Sequence, residues 1–292
     1  MGPTMVNLTV YGQTDVGLVR GSNEDAFLIA DLTGGNLIEE KQIARFEVGA
    51  RGVLLAVSDG MGGERAGEVA SAMVIESLGR SMGKDRESQP PDALIEKAIE
   101  RANREVWHAA AKPGHQRMGA TVTALFVQGD SVHIAEVGDS RAYLLRGGVL
   151  HQVTRDQSYV QLLVDAGTMT QEQAQTAPMK NVILQAMGQK AGVTVAMGRL
   201  SLRQRDCFLL CSDGLSNKVT PDEMKHVILT APRLDAACVT LIELAKAHGG
   251  EDNITVIIGG VSGDLPPLVP GEPITETLEI LKEYDLRARA AQ

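Results

Sequence analysis

A chain of 292 residues that is 43% hydrophobic and 22% charged can bury enough apolar surface to fold without disulfides or structural metal, which excludes disordered and collagen-like classes. Its length admits one large domain or two smaller ones. Aromatics at 3% leave few rings on which single-stranded bases could stack, and 28 Lys and Arg against 37 Asp and Glu give a net charge of −9 that repels a polyphosphate backbone, so nucleic acid is disfavoured as a partner.

The opening MGPTMVNLTVYGQT has neither the basic nor the apolar region of a secretory signal, and no later stretch approaches the ~18 apolar residues of a membrane helix. Val6 stands where a myristoylation signal needs Ser or Thr. A cytoplasmic chain with no membrane partner is expected. Short runs rich in Val, Ile and Leu predict strands at 6–11, 26–30, 52–57, 122–127, 132–137 and 142–145. Between the third and fourth, Ala66, Val69, Ala70, Met73, Val74 and Leu78, then Ala93, Leu94, Ala98, Ala102 and Val106, recur at helical spacing, with Pro90 and Pro91 separating the two helices. Trp107 on the second is read as a packing residue.

Residues 157–166 and 170–176 predict a short helical pair with Gly167 as C-cap, followed by strands at 193–200 and 208–211. Two more helices open at Thr220-Pro221, a good N-cap and N1 pair, and near Pro232-Arg233, before a last strand at 254–261. Strands, two helices, strands, two helices, strand is an α+β order, which argues for packed sheets with antiparallel helix pairs outside. After Ser262 a proline-rich linker leads to a polar stretch read as helical from Thr275 to about Arg289, so the expected division is 1–262 and 263–292. The tail is expected to be dispensable for the chemistry of the first 262 residues. Cys207, Cys211 and Cys238 lie in apolar runs and read as reduced core thiols.

Chemistry concentrates at acidic turns beside strands. LLAVSDGM at 54–61 and FLLCSDGL at 208–215 both run from an apolar strand into Ser-Asp-Gly, placing Asp59-Gly60 and Asp213-Gly214 at strand ends. Glycine after the carboxylate leaves the backbone open to an ion or ligand. Asn23-Glu24-Asp25, Gly138-Asp139-Ser140 and Glu251-Asp252-Asn253 are further acidic turns. Any one alone reads as a solvated turn. Gathered at one sheet end they would repel one another unless cations neutralised them, and hard oxygen ligands without a His or Cys cluster suit Mg²⁺ or Mn²⁺.

Thr14-Asp15-Val16-Gly17, Arg20 and Asn23-Glu24-Asp25-Ala26 resemble the first signature of the metal-dependent PP2C-type (PPM) serine/threonine protein phosphatases, and Val57-Ser58-Asp59-Gly60-Met61-Gly62-Gly63 with Gly67 and Ala70 resembles the second. Met118-Gly119-Ala120-Thr121, Val137-Gly138-Asp139-Ser140-Arg141, Thr154-Arg155-Asp156-Gln157-Ser158, Cys211-Ser212-Asp213-Gly214-Leu215 and Asp252-Asn253-Ile254-Thr255 follow in the family's order. The likeness covers roughly residues 8–261 and is nearest to the bacterial branch.

The resemblance implies a four-layer α-β-β-α sandwich, two antiparallel sheets flanked by helix pairs, with two Mn²⁺ or Mg²⁺ ions at one end. Asp59 would bridge both ions, Asp213 and Asp252 would hold the first, and Glu24 with the carbonyl of Gly60 the second. Asp139 with Asp213 matches a third, weaker metal site of relatives. Asp25 matches a carboxylate that orients the attacking water, and Arg20 the phosphate-binding arginine, whose fork-shaped guanidinium can take two phosphoryl oxygens. The implied activity is hydrolysis of phosphoserine and phosphothreonine in proteins by direct attack of a metal-activated water. Its partners would be phosphorylated proteins, including a Ser/Thr kinase or its targets, and the enzyme is expected to be a monomer.

Met61 occupies the place of a histidine that animal members use as general acid, and Glu64 that of a histidine in some bacterial relatives, so the leaving-group acid has no residue. None of the six histidines has a motif-based role. Residues 157–189 occupy the place of the family's flap. Arg65 stands where a dinucleotide fingerprint needs glycine, and Gly79 to Gly83-Lys84-Asp85 lacks the spacing and hydroxyl of a P-loop. The rival readings are a non-catalytic regulatory domain of the same fold and a small-phosphoester hydrolase.

Overall fold

The computed structural model describes residues 5–38, 40–63, 66–83, 89–112 and 118–286. Glu64, Arg65, Lys84, Asp85 and the far end of the expected C-terminal helix lie outside them. In chain order the elements are β1 (Val6–Asp15), β2 (Asp25–Asp31), β3 (Asn36–Leu37), β4 (Ala44–Glu47), β5 (Val53–Met61), α1 (Ala66–Gly83) and α2 (Pro91–Ala110). Then come β6 (Gly119–Ala120), β7 (Val122–Gln128), β8 (Ser131–Val137), β9 (Arg141–Arg146), β10 (Val149–Gln152), α3 (Tyr159–Asp165) and α4 (Gln171–Thr176). The chain finishes with β11 (Ala196–Ser201), β12 (Cys207–Cys211), α5 (Asp213–Ser216), α6 (Pro221–Thr230), α7 (Leu234–Ala247), β13 (Ile254–Gly263) and β14 (Leu278–Lys282).

Two antiparallel sheets pack face to face. One runs β10-β9-β12-β13-β1-β4 and the other β14-β11-β8-β7-β5-β2-β3, with β6 paired to β5. The uninterrupted apolar runs have a physical reason: their strands are buried on both faces, so period-2 alternation sends neighbours to different apolar layers. On β5, Val53, Leu55 and Val57 join Leu8, Leu144, Phe208 and Ile257 between the sheets, whereas Leu54 and Ala56 pack with Val74, Leu78, Ile95 and Ile99 of α1 and α2. On β12, Leu209 and Cys211 meet Met224, Leu241 and Ile242 of α6 and α7. The result is the expected order helix pair, sheet, sheet, helix pair.

Local signals set the helix starts. The Thr220 hydroxyl accepts from Glu223 N–H while Glu223 reaches back to the Thr220 N–H, a capping box that opens α6 ahead of Pro221 at N1. Thr170 and Gln173 repeat it on α4. Among the described residues no helix is long and apolar enough to cross a membrane. The three cysteines form no disulfide, and burial pushes the Cys207 and Cys211 thiols up to about 12, far from reactive thiolates.

Two expectations are corrected. Trp107 is not packed away but 38% exposed. The stretch read as helical from Thr275 instead makes a short 3₁₀ turn at Ile274–Glu276 and then the strand β14. The edge of β11 would otherwise leave backbone donors and acceptors unpaired, and Leu278, Glu279, Ile280 and Lys282 pair along it. Arg199 on β11 bonds Glu279 at 2.5 Å, and Lys282 reaches Glu96 of α2 at 2.5 Å. Arg203 grips Glu272 through two nitrogens at 2.7 and 3.1 Å.

Candidate active site

The register of the second sheet places Asp25, first residue of β2, directly opposite Asp59 on β5. Facing residues of an antiparallel pair share a side of the sheet with Cβ atoms about 5 Å apart. Phe27 and Ile29 of β2 and Leu55 and Val57 of β5 pack between the sheets, so both acids point into that layer at its open end. The other sheet supplies Asp213 and Asp252, and the turn joining the two sheets supplies Asp139. Asp213 follows β12 at the start of α5, Asp252 immediately precedes Asn253 and β13, and Asp139 stands in the turn between β8 and β9. The two Ser-Asp-Gly segments therefore end in opposite sheets and meet at one end of the sandwich.

Hydroxyls clasp Asp25. Ser212 and Thr255 each donate to its Oδ2 at 2.7 Å, Thr255 Oγ1 lies 2.7 Å from Thr14 Oγ1, and Asn23 Nδ2 donates to Thr14 Oγ1 at 2.8 Å. Asp59 is set from behind: Thr121 Oγ1 accepts its N–H at 3.0 Å and lies 2.7 Å from Ser140 Oγ. Asn253, 3% exposed, is a three-way staple: its Oδ1 accepts the Glu24 N–H at 2.8 Å, and its Nδ2 donates to the carbonyls of Val16 and Ser22 at 3.0 and 2.9 Å. Glu24 is thereby pinned beside the backbone of β5, whose Gly60 N–H donates to Glu24 O at 3.0 Å.

Glycines are required at this approach. A Cβ on Gly60 would stand 2.1 Å from Gly67 O, and one on Gly67 would stand 2.3 Å from Glu24 Oε2. The Glu24 carboxylate therefore lies against the Gly67 backbone, and the Glu24 main-chain carbonyl against Gly60. Arg20 sits at the rim, half-exposed, its Nη2 donating to Asp252 Oδ2 at 2.8 Å.

The acids are electrostatically crowded. Burial, then Asp213 and Asp252, raise the Asp25 carboxyl to about 7 despite the hydrogen bonds from Thr255 and Ser212. Burial followed by Asp25, Asp213, Asp139 and Asp252 holds Asp59 well above the usual carboxylate range. Burial and then Asp213 do the same to Asp139, and burial and then Asp252 raise Asp213. Among the described residues no three of these groups close into a ready-made metal cage, an arrangement that mutual repulsion without cations would oppose. The donors nonetheless fit hard divalent cations. They are all oxygen, and Asp25 Oδ1 is buried with no hydrogen-bond partner among the described residues.

The sequence-named residues Glu24, Asp25, Asp59, Gly60, Asp139, Asp213, Asp252 and Arg20 thus all lie at one end of the sandwich. Met61 has no proton to give, and its Sδ accepts from Gln189 Nε2 at 3.4 Å. The roles of Asn253, Ser212, Thr255, Thr14 and Thr121 escaped sequence reasoning. Each stands in or beside a motif, but small polar residues at strand ends are ordinary and only the register shows what they hold.

Residues 42–241 match the family described as Protein phosphatase 2C. The serine/threonine protein phosphatase PstP of Mycobacterium tuberculosis is 37% identical over 270 residues, covering 90% of this chain and 48% of PstP, so the chain spans about half the length of that relative. The serine/threonine phosphatase stp of Listeria innocua is 34% identical over 250 residues, 84% of this chain and 93% of stp. A solved catalytic domain of PstP in complex with two manganese ions superposes with a TM-score of 0.72 at 34% identity, covering 88% of this chain and 99% of that one.

Proposed function

Since the chain belongs to the protein phosphatase 2C family, we propose that it is a Mn²⁺- or Mg²⁺-dependent phosphatase acting on phosphoserine and phosphothreonine in proteins. The observation that carries this reading is the pairing of Asp25 with Asp59 across β2 and β5, with Asp213 and Asp252 brought to the same place from the other sheet. Such a concentration of half-buried negative charge is stable in a working enzyme only when cations share it.

In this reading Asp59, Asp213, Asp252, Glu24 and the Gly60 carbonyl would hold the two ions, and Asp139 with Asp213 would hold a third, weaker one. When bound, the ions supply charge stabilisation and acidify water to a nucleophile at neutral pH. The protein's own groups do the rest. Ser212 and Thr255 fix Asp25 Oδ2, leaving Oδ1 to accept a hydrogen bond from the attacking water and aim it. Asp252 holds one nitrogen of Arg20 at the rim, so that the guanidinium can turn its fork to two phosphoryl oxygens and set phosphorus in line. Met61 is unable to donate a proton to the departing seryl or threonyl oxygen, and a water of the metal site would supply it instead. A cytoplasmic, monomeric enzyme opposing a Ser/Thr kinase completes the reading.

The test is phosphate release from a phosphothreonine peptide in EDTA and with Mn²⁺. Release only with Mn²⁺ is expected. No release under either condition favours a non-catalytic binding domain, whereas turnover of an aryl phosphate but not the peptide favours a small-phosphoester hydrolase.

A further inference from the structure

The segment in the flap's place leaves β10 and returns to β11, and both of its roots converge on one buried amide. Gln157 is 1% exposed. Its Oε1 accepts the Gly138 N–H at 3.0 Å and the Gln185 Nε2–H at 2.9 Å, and its Nε2 donates to the Glu136 carbonyl at 3.2 Å. Its backbone repeats the connection: Gln157 N–H donates to Gly138 O at 2.8 Å, and Leu184 N–H donates to Gln157 O at 2.7 Å. The outgoing root is thus bonded to the strand end before Asp139, and the returning root is bonded to the outgoing one. Gln185 in turn exchanges two 2.8 Å hydrogen bonds with the backbone of Thr194.

The turn on which Gln157 acts has no slack. Gly138 has φ of 112°, and a Cβ there would lie 2.6 Å from Thr121 Cγ2. Thr121 Oγ1 accepts the Asp59 N–H and meets Ser140 Oγ. Direct contacts therefore run from both roots through Gln157 and Gly138 to Thr121, and from there to Asp59 and the Asp139 turn. An amide of this reach offers, at one position, an acceptor for two N–H groups and a donor for a carbonyl, which the shorter hydroxyls of Ser and Thr would have to do from closer to the backbone. A carboxylate would face the Glu136 carbonyl without a proton, and an alkyl group would leave Gly138 N–H buried and unpaired.

We propose that Gln157 is a positioning residue that fixes the Asp139 turn and both roots of the 157–189 segment as one unit, so that the third cation position and the wall meeting a protein substrate are set together. This rests on the phosphatase reading above. Gln185 belongs to the same unit on the substrate side alone.

The experiment compares Gln157→Leu and Gln185→Leu with the wild-type chain. In metal-free protein, Gln157→Leu should speed amide exchange at Gly138 by about tenfold or more. It should weaken the weakest step of a calorimetric Mn²⁺ titration and lower kcat for both a phosphothreonine peptide and an aryl phosphate. Gln185→Leu, which removes one bond to Gln157 but leaves the Gly138 N–H paired, should speed Gly138 exchange less than Gln157→Leu does while raising KM for the peptide. If Gln157→Leu does not fold, Gln157→Asn, which keeps the amide but shortens its reach, carries the same comparison. Gly138 exchange and the weakest Mn²⁺ step within about twofold of wild type would overturn the proposal. An inactive wild-type chain would instead overturn the phosphatase reading, and the exchange measurement would still judge Gln157.

Discussion

Removing the Asn253 side chain tests whether the site is held by its staple or only by the sheets. Three main-chain groups depend on it: Glu24 N–H, Val16 O and Ser22 O, at 2.8 to 3.0 Å. At about 1 kcal/mol net for each buried hydrogen bond, Asn253→Ala should destabilise the metal-free fold by about 3 kcal/mol. Unfolding entropy of roughly 2 cal/mol/K per residue makes that a fall in Tm of about 5 °C for a chain of this length. Asn253→Asp should be no milder, because it keeps the acceptor for Glu24 N–H but turns a carboxylate oxygen toward the Val16 and Ser22 carbonyls. Glu24 would be released along with its backbone, so Mn²⁺ affinity should drop by about 10- to 100-fold, as when the residue behind a metal ligand is lost. Urea unfolding in EDTA gives the first quantity and calorimetric Mn²⁺ titration the second. A loss under about 1 kcal/mol with unchanged Mn²⁺ affinity would refute the staple, leaving the β1–β13 pairing to hold the segment by itself.

Asp59→Asn and Asp213→Asn each remove charge from a crowded group, so both should weaken Mn²⁺ binding and turnover while leaving metal-free thermal stability unchanged or raised; Mn²⁺ titrations matching wild type would make them ordinary turn aspartates. Arg20→Lys keeps the charge but not the fork and should raise KM for phosphopeptide nearly as much as Arg20→Ala; full rescue by Lys in steady-state kinetics would remove guanidinium geometry from the mechanism. Ending the chain after Gly263 strips Glu272 from Arg203, Thr277 from Arg146 and β14 from the edge of β11, so the tail is not a passive appendage and its loss should cost about 3 kcal/mol or more in urea unfolding. An unchanged midpoint would return the tail to the role of a loose extension.

The layered fold was legible because burial on both faces leaves an unmistakable mark: runs such as Val53 to Val57 and Phe208 to Cys211 carry no polar residue. Asp59 and Asp213 could be singled out because each ends such a run and precedes glycine. The strand at 278–282 was not legible. Thr277 to Tyr284 alternates polar and apolar residues loosely enough to suit an amphipathic helix, and the decision is made by the vacant edge of β11, distant in sequence. The same holds for Asn253 and Thr255. Their side chains bond to groups 229 to 241 positions away, at Glu24, Ser22, Val16, Asp25 and Thr14, so only the assembled sheets reveal that a common Asn and Thr are indispensable to the turn opposite.

The clasp on Asp25 belongs to neither sheet. Its acceptor is on β2, its two donors come from the ends of β12 and β13, and Leu55, Leu144, Phe208 and Ile257 fill the space that keeps those strands apart. Hydrogen bonds of 2.7 Å do not survive an ångström of sliding, whereas an apolar layer repacks over that distance with little loss. Small adjustments in the spacing of the sheets should therefore be felt as changes in catalysis well before they register as instability. Hydrophobic substitutions in that layer, far from any phosphate, then become a means of altering turnover without touching a single acidic residue.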